Sequence, residues 1–211
     1  DANTTLKEVI LPEGLTTIED AAFANCTALE KLDVPSSVSE LGRWILENTA
    51  VKTFTIPDGV SEIPASCFYG SAITAMVVPA SVTSIGAWAF ENPYYDNGNK
   101  SYLTSVTFTG TGVTEIPEGC FIYQKSLSSI NLPEGVTTIG ADAFNQCQIS
   151  ALTLPSSLEV IGQRAFSNNG ITSLVIPDKV KRIDFSAFAY NDLETIDLPA
   201  SIEVLASTAF H

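Results

Sequence analysis

The sequence predicts a β-rich repeat solenoid: a right-handed superhelix of short parallel strands and short helical turns, built from about nine repeats of 22–24 residues. Three observations predict it. Pro12, Pro35, Pro57, Pro79, Pro133, Pro155, Pro177 and Pro199 each close a short apolar stretch, at spacings of 23, 22, 22, 54, 22, 22 and 22. The pattern L-x-x-V-x-L-P-x-x-V-x-x-I-x-x-x-A-F recurs around them, clearly in Leu127, Ile130, Leu132, Pro133, Val136, Ile139, Ala143 and Phe144. An aromatic column follows the same period through Phe23, Phe68, Phe90, Phe121, Phe144, Phe166, Phe188 and Phe210. A fixed period of this length is the mark of stacked units that cannot bury an apolar face alone.

Each part of the unit has a physical reading. V-x-L alternates with period two, as a strand with one buried face does. The proline after it lacks an N–H and ends the strand, and Pro-Glu-Gly, Pro-Asp-Gly and Pro-Ser-Ser form turns. V-x-x-I suits a second, shorter extended piece. G-x-x-A-F, as in Gly140 to Phe144, suits one helical turn, because the unit is too short for a long helix. Two copies depart from the pattern. The second carries Ile45 and Leu46 in place of the Ala-Phe pair. The 54-residue gap hides a copy in which Thr109 replaces the proline and residues 91–102 carry an insertion of about eight residues. The 211 residues are expected to form one solenoid domain, and to be a piece of a longer chain because Ala209-Phe210-His211 stop within a repeat.

Composition narrows the function classes. The chain is 45% hydrophobic and carries a formal charge of −14. Such acidity repels phosphate backbones, so nucleic acid and anionic membranes are poor partners. No apolar run approaches the roughly 18 residues that span a bilayer, so no membrane insertion is expected. Catalysis is not expected either. The single histidine, His211, is terminal, Gly110-Thr111-Gly112 lacks the lysine and helix of a phosphate loop, and Glu115 and Glu118 straddle a turn proline. No cofactor or metal site is expected: there is no C-x-x-C pair and no second histidine. The four cysteines, Cys26, Cys67, Cys120 and Cys147, fall in register positions too far apart to bridge, so four free, buried thiols are expected.

That leaves surfaces. Outward side chains of the main strands form two columns. One runs through Glu8, Lys31, Thr53, Ala75, Ser105, Ser129, Ala151, Ser173 and Thr195; the other runs through Ile10, Asp33, Thr55, Val77, Thr107, Asn131, Thr153, Val175 and Asp197. The face is small and hydroxyl-rich, either a plain solvated sheet or a smooth docking face. The insertion places Tyr94, Tyr95 and Tyr102 beside Asp96, Asn97 and Asn99, a mix suited to protein or sugar contact or to covering the neighbouring coils. Trp44 and Trp88 share one repeat position two coils apart, about 10 Å by strand spacing, in a column of solvent-facing type. The candidate binding surface is therefore Trp44, Trp88, Tyr94, Tyr95, Asp96, Asn97 and Tyr102.

The blocks P-x-x-V-x-x-I-G-x-x-A-F at Pro79–Phe90, Pro133–Phe144 and Pro155–Phe166 resemble the BspA-like leucine-rich repeats, and Cys26 and Cys147 resemble that family's cysteine near the end of a unit. The resemblance covers nearly the whole chain. It implies an extracellular or cell-surface protein, without catalytic residues, used in adhesion or in binding host matrix proteins. On this basis the chain is a non-catalytic interaction module for a protein or a glycan. The alternatives are a structural spacer holding another domain, or a glycan-binding module using the tryptophans and the tyrosine loop. Uncapped end coils would also favour end-to-end self-association.

Overall fold

A computed structural model describes residues 3–93 and 101–211. The chain winds into a stack of parallel coils. Its main strands lie at Glu8–Ile10, Lys31–Asp33, Ala75–Val78, Ser105–Phe108, Ser129–Asn131 and Ala151–Thr153. All pairings are parallel and in the register that the repeat requires, for example Ile130 opposite Leu152 and Val9 opposite Leu32. The segments around Thr53–Thr55, Ser173–Val175 and Thr195–Asp197 occupy the same place without forming strands.

The second extended piece is a strand of two residues, and it recurs in each of the nine copies, from Thr17–Ile18 to Val204–Leu205. Between the two strands the proline carbonyl accepts a hydrogen bond from the residue three places on, as in Val136 N to Pro133 O at 3.1 Å and Val180 N to Pro177 O at 3.1 Å. The P-x-x-V motif is thus a β-turn closed by its own ends.

The structure contains no helix among the described residues, so the helical turn expected at G-x-x-A-F is replaced by something else. From Asp142 to Cys147 the amides alternate. Asp142, Phe144 and Gln146 donate to Gln163, Ala165 and Ser167 of the next coil at 2.8, 2.8 and 3.0 Å. Ala143, Asn145 and Cys147 donate back three residues, to Gly140, Asp142 and Phe144. A helix would spend every amide within the turn. Here half of them tie one coil to the next, and left-handed residues re-aim the backbone to do so. Close approach also explains the I-G pair: a β-carbon on Gly140 would lie 2.6 Å from the Glu118 amide nitrogen of the preceding coil.

The core fills the space between these walls. Phe68, Phe90, Phe121, Phe144, Phe166, Phe188 and Phe210 stack ring on ring, with centroids 5.1–5.6 Å apart and planes 4–21° from parallel. Where Leu46 interrupts the column, Phe54 meets Phe68 edge-on at 5.1 Å and 63°. Each such pair adds about 0.5–1.5 kcal/mol beyond the area it buries.

All four cysteines are unpaired and buried, as their register requires. Burial pushes the Cys147 thiol up from 9.0 to about 12, and Cys67 and Cys120 well above the usual range for the same reason. Three residues after Phe121, Phe144, Phe166 and Phe188, a side chain also satisfies backbone carbonyls. Cys147 Sγ donates to Phe121 O at 3.2 Å, Gln124 Nε2 to Phe90 O at 2.6 Å, and Asn191 Nδ2 to Phe166 O and Phe188 O at 2.8 and 2.9 Å. Glutamine, cysteine and asparagine serve alike in these four copies because each can donate.

Candidate interaction surface

The residue just before each Ala-Phe pair is left-handed in every copy: Ala21, Trp44, Ser66, Trp88, Gly119, Asp142, Arg164, Ser186 and Thr208 all have φ between 51° and 60°. That conformation costs a non-glycine residue about 1–2 kcal/mol. The backbone is dictated by the ladder between coils, but the side chain is not. The chain uses this freedom differently along the stack. Arg164 and Asp142 pair across adjacent coils, with Nε–Oδ1 at 2.8 Å and Nη2–Oδ2 at 2.7 Å. Ser186 and Thr208 share a hydrogen bond of 2.9 Å. Trp44 and Trp88 instead stand 37% and 40% exposed.

The two indoles are set differently. A β-carbon on Gly119, the next residue up the column, would overlap Cδ1 of Trp88 and lie 2.5 Å from its Nε1. The Trp88 ring therefore rests on the bare backbone of the next coil. The coil above Trp44 presents Ser66 in the same place.

Three residues on from the left-handed column runs a second surface column with Glu47, Tyr69 and Glu91. Its amides close the turns back onto Trp44, Ser66 and Trp88 at 3.2, 3.2 and 3.1 Å. These three residues escape a reading by columns alone, because only the turn bond places them beside the tryptophans. The spacing W-x-x-E, present at both Trp44 and Trp88, is the signal that marks them. Burial pushes the Glu91 carboxyl above its ordinary value. Burial, then the charges of Glu91 and Glu47, push the Tyr69 phenol up. Among the described residues no cation forms an ion pair with Glu47 or Glu91.

The insertion is anchored at both ends. Asn92, buried, receives its place from an amide bond to Ile122 O at 3.1 Å and a side-chain bond to Tyr123 O at 3.4 Å. Ser101 bonds Gln124 Oε1 at 2.9 Å and accepts from the Ser126 amide at 3.1 Å. Tyr102 follows, 36% exposed. Tyr94, Tyr95, Asp96 and Asn97 lie outside the described residues.

The outward columns of the main strands are exposed throughout. Lys31 pairs with Glu8 at 2.5 Å on that face. A groove of about 670 Å³ opens where the strands lapse, between Leu152, Leu154, Leu174, Val175, Pro177 and Ile196. No group of three or more His, Cys, Asp or Glu among the described residues could hold a metal ion. Among the described residues no helix is long and apolar enough to cross a membrane.

The BspA type leucine-rich repeat region model matches six copies over residues 2–97 and 94–211. The chain belongs to the BspA type leucine-rich repeat family. Solved structures agree. A leucine-rich repeat protein from Bacteroides ovatus is 27% identical, with a TM-score of 0.77 over 90% of this chain and 49% of its own. The T. pallidum leucine-rich repeat protein is 27% identical, with a TM-score of 0.57 over 67% of this chain and 64% of its own. The pneumococcal vaccine antigen PcpA, 21% identical with a TM-score of 0.53, shares the fold over 89% of this chain and 55% of its own. The chain thus spans less than two thirds of each of these three. No curated protein matches it. Leucine-rich repeats of this kind are a module type generally used for protein interaction.

Proposed function

We propose that this chain is a non-catalytic interaction module of a secreted or cell-surface protein, and that it mediates adhesion by binding a host or matrix protein. The observation that carries the reading is the placement of Trp44 and Trp88. Both are large aromatic side chains that stand exposed in an outward column whose other members are small or polar. Exposed tryptophans belong to contact sites more readily than to packing. Family membership and the description of one structural relative as a vaccine antigen support the extracellular setting.

The test is binding of the purified chain to a panel of immobilised extracellular matrix and plasma proteins, beside its Trp44→Ala/Trp88→Ala variant. Saturable binding to at least one of them, lost in the variant, is expected. Binding to none of them, or binding indifferent to both tryptophans, overturns the proposal. A spacer array would give the first of those results. A glycan module would give a glycan-array signal that Trp88→Ala abolishes.

A further inference from the structure

We infer that Trp44, Glu47, Tyr69, Trp88 and Glu91 form a docking site for a cationic, extended segment of a partner protein, one that presents two arginine or lysine side chains three residues apart. This rests on the interaction-module reading and names its site and its partner chemistry.

The first argument is geometry. The five residues, with Ser66, make a lattice two columns wide and three coils long, held by turn bonds of 3.1–3.2 Å from each second-column amide to the first column. The phenylalanines of the upper two of these coils, Phe68 and Phe90, stack at 5.2 Å. Trp44 and Trp88 are therefore separated by about 10 Å along the stack, two strand spacings. A polyproline-type segment rises about 3.1 Å per residue with three residues per turn, so side chains at i and i+3 lie on one face about 9.3 Å apart. The repeat of the segment matches the two-coil repeat of the site.

The second argument is charge. Each indole is followed three residues later by a carboxylate, and neither carboxylate has a counter-ion among the described residues. Glu91 is half-buried. Arg43, next to Trp44 in the chain, forms no ion pair with either glutamate. Farther along the same column the chain supplies its own cation, Arg164, to Asp142. In coils two to four the described residues supply no such cation. An arginine placed over an indole and against a carboxylate satisfies both the ring face and the charge. A neutral sugar would stack on the rings and leave the charge of Glu91 uncompensated.

The third argument is preorganisation. Gly119 lets the Trp88 ring lie on the next coil, so the ring is positioned before any ligand arrives.

The test uses the chain's own reporters, because its two tryptophans are both in the site. A synthetic peptide containing Arg-Pro-Pro-Arg is titrated while indole fluorescence is followed, beside the same peptide with Gln-Pro-Pro-Gln. A saturable change with the arginine peptide is expected, about tenfold weaker with the glutamine peptide, as loss of cation–π and charge-assisted bonds requires. The Glu47→Gln/Glu91→Gln variant should bind the arginine peptide several-fold more weakly, with an unchanged thermal midpoint. Gly119→Ala should move the Trp88 emission and weaken binding. Three results would overturn the inference: no saturable change with the arginine peptide, equal affinity for both peptides, or a response to neutral oligosaccharide that the glutamine variant leaves intact. Tryptophan-dependent binding to the matrix panel without binding of the arginine peptide would overturn this inference alone and leave the wider reading standing.

Discussion

Phenylalanine occupies one column of seven consecutive coils, from Phe68 to Phe210. Two residues earlier, in the same coils, the chain places Ser66, Trp88, Gly119, Asp142, Arg164, Ser186 and Thr208. The two columns share one turn and one hydrogen-bond ladder. They differ in what surrounds them. The phenylalanines face only one another and the aliphatic rows, at about 5 Å spacing, so any other shape leaves a void or a clash. The left-handed column faces outward, where the backbone carries the same strain with any side chain other than glycine. One column specifies the fold, and the other is free to vary.

The contrast is sharpest in stability. Phe144→Ala should cost about 3–5 kcal/mol, the usual loss for emptying a fully buried aromatic site. Phe210→Ala, in the last coil and only partly covered, should cost well under half of that. Urea denaturation of the two variants measures both. Equal losses would mean that the terminal coil is covered by something, and self-association through that end is the first candidate. The last coil leaves Val204 44% and Leu205 48% exposed, where Ile183 one coil back is fully buried. Sedimentation of parent and Phe210→Ala at several concentrations would then show whether end-to-end contact is the cover.

How much of this was legible depends on which interactions repeat. The columns of Phe, Ile and Leu, the in-register parallel pairing and the burial of Cys26, Cys67, Cys120 and Cys147 all follow from the period, because burial acts on every copy alike. The left-handed turn was not legible. Its two signatures in composition, glycine and asparagine, occur at Gly119 and at Asn25, Asn48 and Asn168, but Trp44, Arg164 and Thr208 in the same conformation carry no such mark. The spacing G-x-x-A-F suggested a helical turn because back-bonds over three residues are indeed present. What the spacing hides is that alternate amides leave for the next coil. Glu47, Tyr69 and Glu91 were missed for the same reason: their nearness to the tryptophans is a property of that turn.

Cys120 stands between the two columns, after Gly119 and before Phe121, and tests how tightly the wall between them is sealed. Burial holds the Cys147 thiol at about 12, and raises Cys67 and Cys120 as well. Above pH 9 the unfolded chain releases these protons and the folded chain keeps them, so stability falls as pH rises. The slope is about 1.4 kcal/mol per pH unit for each thiol ionised only in the unfolded state. Comparing the stability of parent and Cys147→Ala between pH 8 and about pH 11 isolates one thiol, and the parent should lose more. A thiol reagent at pH 8 should find no reactive cysteine in the folded chain and four in urea. Rapid reaction of Cys120 without urea would show that the wall opens.

The smallest expected effect lies in the outward column. Trp44→Gly removes an exposed indole from a left-handed position. Relief of strain there is worth about 1–2 kcal/mol, and the added freedom of the unfolded glycine costs about 0.4–1 kcal/mol. The indole is only 37% exposed, and losing the contacts of its covered part costs roughly 2–3 kcal/mol. A net loss of about 1–2 kcal/mol is therefore expected, below that of Phe144→Ala. A gain accompanied by lost binding would mean that the indole is kept for its partner at the expense of the fold, the pattern of a strained functional residue. A loss as large as that of a core phenylalanine would place Trp44 among the packing residues and erase the distinction between the two columns.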